Sequence, residues 1–291
     1  MNERPSVTSA VAPFVARLER FGSVPSTQPI VRAWLAEVPD LLDPRPRVAI
    51  AVADEQTEGR GRRGRSWQAP PGAALLLSVG FRPIDLPLRH AWRLAASVAL
   101  AMLDAAESQG LRDGTLRLKW PNDLVADGPD GAPRKLAGVL GEVEADETGQ
   151  VRSAIVGVGI NADWSPNDFP TDLAASMTSL RALARRPVDR DALLADFLAR
   201  LEPRALALSA GRFDVGGWSS RQRTNGAWVE VDVGDARLEG LAVGVGPETG
   251  GLLIEVGGPG GPLREIDSGE VVRCRLRPAT SGRPSPPAAG R

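Results

Sequence analysis

Two lysines stand out in a chain that otherwise carries its positive charge on 33 arginines. Lys119 and Lys135 each lie in a short motif, Lys119-Trp120-Pro121-Asn122-Asp123 and Lys135-Leu136-Ala137-Gly138. A lysine ammonium is a compact, strongly hydrated point charge, whereas a guanidinium is a flat and bulky fork. Retention of lysine at these positions indicates a small cation that must reach a crowded phosphate or carboxylate. The alternative is that two lysines remain by chance.

A second candidate site is the loop Gly59-Arg60-Gly61-Arg62-Arg63-Gly64-Arg65, which precedes Trp67. Its glycines let the backbone approach a ligand and present amide groups, and arginines pair bidentately with phosphate oxygens. The four arginines repel one another, so we expect the loop to be mobile until an anion neutralises it. Trp67 offers a flat apolar surface suited to a nucleobase. The segment has neither the Gly-Lys-Ser/Thr ending of a Walker A loop nor the helix of a dinucleotide fingerprint.

An alternative for this loop is an arginine/glycine segment that binds RNA non-specifically. Such segments normally repeat within disordered tails, whereas this one is single and flanked by predicted strands. The net charge of −1 also argues against a general nucleic-acid binder, which usually carries a basic face. We therefore favour a phosphate-bearing small molecule and expect no DNA partner.

The composition excludes several other classes of site. His90 is the single histidine and Cys274 the single cysteine, which excludes disulfides and histidine- or cysteine-based metal centres. We interpret His90 as a helix-boundary residue and Cys274 as inert core, and a Ser-His-Asp hydrolase is not indicated. No apolar run is long enough to span a membrane, and the amino terminus lacks a signal-like core. We expect a cytoplasmic protein.

The hydrophobic pattern predicts a mixed α/β domain over residues 13–222, preceded by disorder at 1–12. Apolar spacing indicates helices at 14–21, 30–37 and 91–108, and a long helix from Asp189 to about residue 210. Apolar or alternating runs predict strands at 47–53, 73–81, 115–120, 123–126, 135–145 and 151–160. The loop of arginines follows the first of these strands.

The pattern changes near residues 220–225. Five short alternating runs with glycine turns, at 228–233, 237–245, 251–256, 262–266 and 271–276, predict a small β-barrel over residues 223–277. Residues 278–291 are rich in proline, serine, glycine and alanine and are expected to form a disordered tail.

The chemistry of these groups indicates an acid substrate and a polyphosphate co-substrate. No side chain among them resembles a nucleophile activated by a base. Direct attack of a bound carboxylate on the α-phosphate of ATP needs charge neutralisation and in-line positioning more than a protein base. Lysines and arginines would neutralise the charge, and Mg²⁺ would bridge the phosphates.

The order of the motifs resembles the biotin–protein ligases. The resemblance covers residues 20–277 and rests on five motifs: Ser26-Thr27-Gln28, the segment from Gln56 to Trp67, the two lysine motifs, and Gly157-Val158-Gly159-Ile160-Asn161. It implies a catalytic domain with a mixed sheet backed by helices, related to class II aminoacyl-tRNA synthetases, and a C-terminal SH3-like barrel. It also implies ATP and biotin as substrates and a biotin carboxyl carrier domain of a carboxylase as partner.

The resemblance also implies a role for each matched residue. Residues that line the biotin pocket are Ser26, Thr27, Gln28, Gln56, Arg60, Gly61, Arg62 and Lys135, of which Lys135, Arg60 and Arg62 are catalytic. Trp67, Asn122 and Asn161 surround the nucleotide, and Lys119, Asp123 and Gly138 are further candidates. Whether Lys119 contacts a ligand or orients its neighbours stays open, and Trp120 and Pro121 fit packing and a turn better than ligand contact.

Two features depart from the family pattern. Gln28 stands where the family has asparagine, which keeps the amide but adds a methylene. Only 25 residues precede Ser26, so we expect a ligase without the DNA-binding repressor domain of some members, acting as a monomer or weak homodimer. A lipoate–protein ligase-like acyl-adenylate transferase and a non-catalytic nucleotide- or RNA-binding module are the alternatives; the first would not explain the arginine-rich loop.

Overall fold

The computed structural model describes residues 14–37, 47–81 and 86–267, and the backbone of residues 270–276. The expectations for residues 1–12 and 278–291, and for the side chain of Cys274, lie outside this part of the chain.

A seven-stranded mixed sheet forms the larger part of the protein. Its strands are β1 (Val15–Val24), β2 (Val48–Gln56), β3 (Ala74–Phe81), β4 (Leu116–Lys119), β5 (Asp123–Asp127), β6 (Pro133–Ala145) and β7 (Val151–Asn161). The strand order is β1-β2-β3-β7-β6-β5-β4, with β1 and β2 parallel and the other neighbours antiparallel. The predicted mixed sheet is confirmed, and six of its strands lie where the sequence pattern predicts them.

The prediction of a helix over residues 14–21 is wrong, because this segment forms most of β1. Leu18 and Phe21 are three positions apart, which suggests one helix face, but in a strand this spacing places them on opposite faces. Leu18 packs against the main core, whereas Phe21 packs against the smaller cluster and lies 6.3 Å from the Trp34 ring. Parallel pairing with the buried strand β2 outweighs the local helical spacing.

Helices cover both faces of the sheet. They are α1 (Thr27–Glu37), α2 (Trp92–Glu107), α3 (Leu180–Ala184), α4 (Arg190–Ser209) and α5 (Val215–Ser220). On one face α1 buries Val31, Trp34 and Leu35 against β2 and β7. On the other face α2 packs between α4 and the sheet. The predicted start of the long helix is confirmed, since the Asp189 carboxylate caps α4 by accepting hydrogen bonds from the amides of Asp191 and Ala192.

A second sheet is built from the last five strands, as the sequence pattern predicts. They are β8 (Ala227–Val233), β9 (Ala236–Val245), β10 (Leu252–Val256), β11 (Leu263–Ile266) and β12 (Glu270–Leu276). All pairs are antiparallel in the order β11-β10-β9-β8-β12. Because β11 and β12 are the edges of this sheet, its closure into a barrel stays a prediction, as does the domain boundary at residues 222–223.

The turn between β9 and β10 rests on the larger part of the protein. Glu248 accepts a hydrogen bond from Trp92 Nε1 through its carbonyl and pairs with His90 through its carboxylate, at 2.7 Å. The hydrogen bond with His90 lowers the pKa of the Glu248 carboxyl. Trp120 Nε1 donates to the Gly250 carbonyl at 3.0 Å. His90 thus lies just before α2, as predicted, and joins α2 to the second sheet.

Across the described ranges, the helices are too short or too polar to cross a membrane.

Candidate functional site

The predicted site residues converge on one region of the larger sheet. A cavity of about 150 Å³ is lined by residues from the start of α1, the ends of β2 and β4, the arginine-rich loop, and the middle of β6 and β7. Thirteen of the fourteen predicted site residues line it: Ser26, Thr27, Gln28, Gln56, Arg60, Gly61, Arg62, Trp67, Lys119, Asn122, Asp123, Lys135 and Gly138. Five motifs that are separated in the sequence therefore meet around this cavity, which we call the first cavity.

One side of the first cavity is a group of polar residues, all of them buried except the half-buried Gln56. Gln56 Oε1 accepts hydrogen bonds from the Thr27 amide at 2.8 Å and from Thr27 Oγ1 at 3.1 Å. Thr27 Oγ1 also lies 2.7 Å from Oγ of Ser78, which is fully buried on β3. Together with Ser26 and Gln28 these residues form a surface that we call the polar wall. Its hydrogen bonds hold the first turn of α1 against the sheet.

Gln28, the residue that departs from the family pattern, belongs to the polar wall and is 5% exposed. Its Nε2 donates to the Leu140 carbonyl at 3.2 Å. A methyl group added at Gly157 would lie 3.2 Å from the same nitrogen, so the Gln28 side chain rests directly on β7. The longer side chain is thereby accommodated because a glycine lies beneath it.

The arginine loop, residues 59–65, is folded as a tight hairpin. The Gly61 amide donates to the Arg65 carbonyl at 2.7 Å, and the Trp67 amide donates to the Gly59 carbonyl at 2.9 Å. A Cβ at Gly59 would lie 2.3 Å from the Trp67 carbonyl oxygen, so this close approach requires glycine. The loop lines the first cavity with its cationic side chains, as predicted; its mobility without ligand stays a prediction.

Arg63 lines the first cavity and also joins the arginine loop to the second sheet. Its φ of 54° places it in the left-handed region, and its guanidinium donates to the Asp232 carbonyl at 3.0 Å. The Asp232 carboxyl has a lowered pKa, because Arg237 donates a hydrogen bond to it and the charges of Arg237 and Arg63 act in the same direction. The second sheet therefore contacts the arginine loop directly.

Trp67 packs against the sheet over two glycines. Gly138 and Gly159 are paired across β6 and β7. A Cβ at Gly159 would be 2.6 Å from the indole ring, and one at Gly138 would be 3.3 Å away. Trp67 Nε1 is buried and has no hydrogen-bond partner within the described residues. The two glycines, which have no side chains, thus form the surface on which the indole rests, and we call this surface the seat of Trp67.

Lys135 places its ammonium beside this indole. Its Nζ lies 5.4 Å from the Trp67 ring centroid and 2.7 Å from Asp123 Oδ1. Its backbone is held by the segment before α3, since the Lys135 amide donates to Ser176 and its carbonyl accepts from Thr178. Lys119 lies opposite Asp123 in the β4–β5 hairpin and lines the same cavity. Lys119 is thus paired with Asp123 across the β4–β5 hairpin, and Lys135 reaches the same carboxylate from β6 with its ammonium group.

Asn122 and Trp120 contribute to the shape of the site. Asn122 Nδ2 donates to the Val139 carbonyl at 3.1 Å, which ties the β4–β5 turn to β6. Trp120 is 3% exposed, its amide donates to Thr224 Oγ1, and its peptide bond to Pro121 is cis. Both Trp120 and Pro121 line the first cavity, yet the burial of Trp120 fits the predicted packing role.

Asn161 lies in an adjoining cavity of about 750 Å³. The two cavities share the lining residues Gln56, Ser66, Trp67 and Lys135, so they adjoin one another. Asn161 Nδ2 donates to the Thr178 carbonyl, while its Oδ1 is buried and lacks a hydrogen-bond partner in the described part of the chain. An acceptor held ready in this way suits a ligand with an N–H group.

Some lining residues were missed by the sequence analysis. Ser78 is the most informative, because it interrupts the apolar run of β3 with a hydroxyl. A polar residue within a fully buried strand must find a partner, and that signal could have identified it. Trp164 and Met177 line the second cavity, and nothing in their sequence context distinguishes them from core residues.

The site as a whole can bind an anionic ligand. Six cationic side chains line the first cavity (Arg60, Arg62, Arg63, Arg65, Lys119 and Lys135), against the single carboxylate of Asp123 among the described lining residues. The described residues contain no cluster of histidine, cysteine, aspartate or glutamate able to hold a metal ion by itself. Cations of this density favour phosphate or carboxylate groups.

Comparisons with known proteins give the same family that the motifs indicate. Residues 39–161 match the model of the Biotin/lipoate A/B protein ligase family. The biotin–[acetyl-CoA-carboxylase] ligase of Mycobacterium tuberculosis is 32% identical over 229 residues, which cover 78% of this chain and 79% of that protein. The bifunctional ligase/repressor BirA of Bacillus subtilis is 37% identical over 160 residues. That alignment spans 55% of this chain and less than half, 46%, of the relative.

The fold comparison extends over most of the chain. The structure of the biotin protein ligase from Aquifex aeolicus in complex with biotin and ATP superposes with a TM-score of 0.69 and 27% identity. The superposition covers 90% of this chain and all of that one. The identity and coverage shared with the Mycobacterium tuberculosis ligase establish that the chain belongs to the biotin protein ligase family.

Proposed function

We propose that the protein is an ATP-dependent biotin–protein ligase that works in two steps. In the first, a carboxylate oxygen of biotin attacks the α-phosphorus of ATP; the new P–O bond forms as the α–β bridge breaks, giving biotinyl-5′-AMP and pyrophosphate. In the second, the amine of a carrier lysine attacks the acyl carbon, forms an amide and releases AMP. The lysine proton is lost to solvent in this step.

The observation that carries this proposal is the pairing of the polar wall with a cationic surface in the first cavity. Ser26, Thr27, Gln28 and Gln56 offer short polar groups suited to a ureido ring. The cations of Arg60, Arg62 and Lys135 line the same cavity, where a carboxylate and an α-phosphate must meet. Bringing two anions together costs Coulomb energy that fixed cations offset.

Lys135 is the residue best suited to the reacting centre. Its ammonium is positioned by Asp123 at 2.7 Å and by the face of Trp67. A point charge fits between a carboxylate and a phosphate where a planar guanidinium would be too large. Arg60 and Arg62, with Gly61 between them, close over the same groups from the arginine loop.

The second cavity suits the nucleotide. Asn161 Oδ1 is a buried acceptor without a described partner and would accept an N–H of the base, while Trp67 would cover it and Asn122 would hold the turn beside it. Mg²⁺ would be held mainly by phosphate oxygens, since Asp123 is paired with Lys135. When bound, the ion would add positive charge at the phosphates.

The carrier is proposed to be a biotin carboxyl carrier domain of a carboxylase. The family match supports biotin attachment to such a partner. We further propose that the second sheet closes into an SH3-like barrel. Its contacts with Arg63 and Trp120 make it part of the support of the site rather than a separate module.

Release of pyrophosphate that depends on biotin tests the first step. The wild-type protein should release pyrophosphate from ATP with biotin and not with lipoate. Arg62→Gln should slow release at least tenfold, whereas Arg264→Gln, at an exposed site on β11, should leave it unchanged. Release with lipoate in place of biotin would assign the lipoate chemistry, and no release with either acid would contradict the proposal.

Transfer of biotin to a purified carrier domain, detected with avidin, tests the second step. A carrier domain whose acceptor lysine is changed to arginine is the control.

A further inference from the structure

The structure points to Ser78 as a positioning residue for the proposed biotin site, acting through Thr27 on Gln56. We infer that Ser78 and Thr27 form a directed hydrogen-bond relay that turns the Gln56 Nε2 group towards the ligand. The polar wall therefore meets the ligand as a hydrogen-bond donor at this position. The inference about the ligand rests on the proposed function, whereas the relay itself does not.

The direction of the relay follows from which atoms can donate. The Thr27 backbone amide is always a donor, and it lies 2.8 Å from the amide group of Gln56. The Gln56 atom facing it must therefore be the oxygen, because the reverse orientation would set two N–H groups against each other. This contact fixes Oε1 on the inner side.

The Thr27 hydroxyl has a single proton, and only one placement of it gives both of the hydroxyl's contacts a donor. Oγ1 lies 3.1 Å from Gln56 Oε1, which can only accept. The proton on Thr27 points there, since otherwise two sets of lone pairs would face each other. The Ser78 hydroxyl, 2.7 Å away, must then donate to Thr27. The chain of donation runs from Ser78 to Thr27 to Gln56.

Burial makes this arrangement difficult to replace by water. Ser78 is 0% exposed and Thr27 is 1% exposed, so neither hydroxyl can exchange its partner for solvent without cost. With Oε1 engaged inside the wall, Nε2 is the part of Gln56 that remains for a ligand. The group it binds must be an acceptor, such as a ureido carbonyl oxygen.

A double-mutant cycle on the ligand-free protein tests the relay. Ser78→Ala and Thr27→Val each remove one hydroxyl, and urea unfolding should show that the double variant is no less stable than the worse single variant. Two changes that act through one interaction are not additive. Additive shifts of the unfolding midpoint would overturn the relay, whatever the protein binds.

Calorimetric titration of biotin tests the positioning. Ser78→Ala should weaken binding about five- to tenfold, on the order of one hydrogen bond. The matched control Ser97→Ala removes a buried hydroxyl from α2, away from the cavity, and should leave affinity unchanged. Equal effects of the two variants would reduce Ser78 to a packing role and overturn the inference.

The variant Gln56→Glu tests the donor direction. It keeps the shape and the inner oxygen but replaces Nε2 with an acceptor, so biotin and biotinamide should both bind at least tenfold more weakly. Retained binding of biotinamide, which lacks the carboxylate, would show that Gln56 does not donate to the ring. A wild-type protein that binds no biotin but keeps the coupling in urea would remove the proposed function and leave the relay intact.

Discussion

The polar wall and the arginine loop line the same cavity but are held in opposite ways. Thr27 and Gln28 of the wall are buried and hydrogen-bonded to residues on β2, β3 and β6. In the loop, Arg60, Arg63 and Arg65 are exposed, and the hairpin is closed by backbone hydrogen bonds at Gly59 and Gly61. The polar wall is thus part of the buried core, whereas the arginine loop is a hairpin with exposed side chains.

The difference indicates a division of work between shape and charge. A ligand that meets the polar wall finds its partners already oriented, so little conformational entropy is lost on binding. The loop carries charge that water screens until a ligand excludes it, after which each Coulomb interaction is strengthened. Changes in the wall should therefore alter affinity for the uncharged ring, and changes on the charged side should alter the reaction rate.

The largest expected effect is that of Lys135→Arg on the charged side. Charge is kept, but the planar head cannot take the place of an ammonium between a carboxylate and a phosphate, so pyrophosphate release should fall about a hundredfold. Biotin affinity should change much less. A conservative exchange at an exposed site, Arg264→Lys, is the control. A Lys135→Arg protein with wild-type rates would show that the size of the cation is unimportant.

The next largest effect should come from the seat of Trp67, the residue whose amide closes the arginine loop and whose indole packs on β6 and β7. Gly159→Ala places a methyl group 2.6 Å from the indole, so the ring must move, and the KM for ATP should rise at least about tenfold. Gly138→Ala, with its closest approach at 3.3 Å, is the matched variant and should have a smaller effect. Steady-state kinetics with saturating biotin measures both. An equal response at the two glycines would contradict the seat described for Trp67.

In the polar wall, Gln28 gives a smaller, affinity-only effect. Gln28→Leu would leave the group of biotin that meets the Gln28 amide buried and unpaired in the complex, at a cost of about 1–3 kcal/mol, so biotin binding should weaken by about tenfold. Gln28→Asn keeps an amide but shortens its reach, and should change affinity less than about tenfold. Calorimetry on the three proteins decides. A leucine variant that binds biotin as tightly as the parent would show that Gln28 does not contact biotin.

The residues that form the site could be predicted from the sequence more fully than the contacts that hold them in place. Strands such as β3 and β7 are mostly apolar, and their pattern alone is enough to place them. Convergence of Lys135, Gln56 and Ser26 in one cavity could be predicted because the motif order resembles a known family. The family resemblance thus supplied the long-range arrangement that local patterns lack.

What could not be predicted depends on contacts between distant segments. β1 has helical spacing, and only its pairing with β2 makes it a strand. Trp67 needs Gly138 and Gly159, which are neighbours solely through the register of β6 and β7. The contact of Arg63 with Asp232 joins residues 169 positions apart, and no local pattern encodes it. In each case the structure depends on contacts between segments that are distant in the sequence, and the hydrophobic pattern of a single segment does not reveal them.

The smallest expected effect is that of removing the contact between Arg63 and Asp232. The same experiment compares the arginine loop with the polar wall. Arg63→Gln removes an exposed hydrogen bond to the Asp232 carbonyl, which is worth at most about 1 kcal/mol at the surface. Hydrogen exchange of the loop amides at Gly61 and Trp67 should therefore quicken about threefold, while the amide of Thr27 in the polar wall should be unaffected. Biotin with ATP should slow exchange in the loop of both proteins, because the anionic ligands neutralise its arginines. Arg264→Gln serves as the control for loss of a surface charge. If the loop exchanges as slowly as the wall in the ligand-free wild-type protein, the loop is held as firmly as the core, and the division between preformed shape and ligand-dependent charge does not apply.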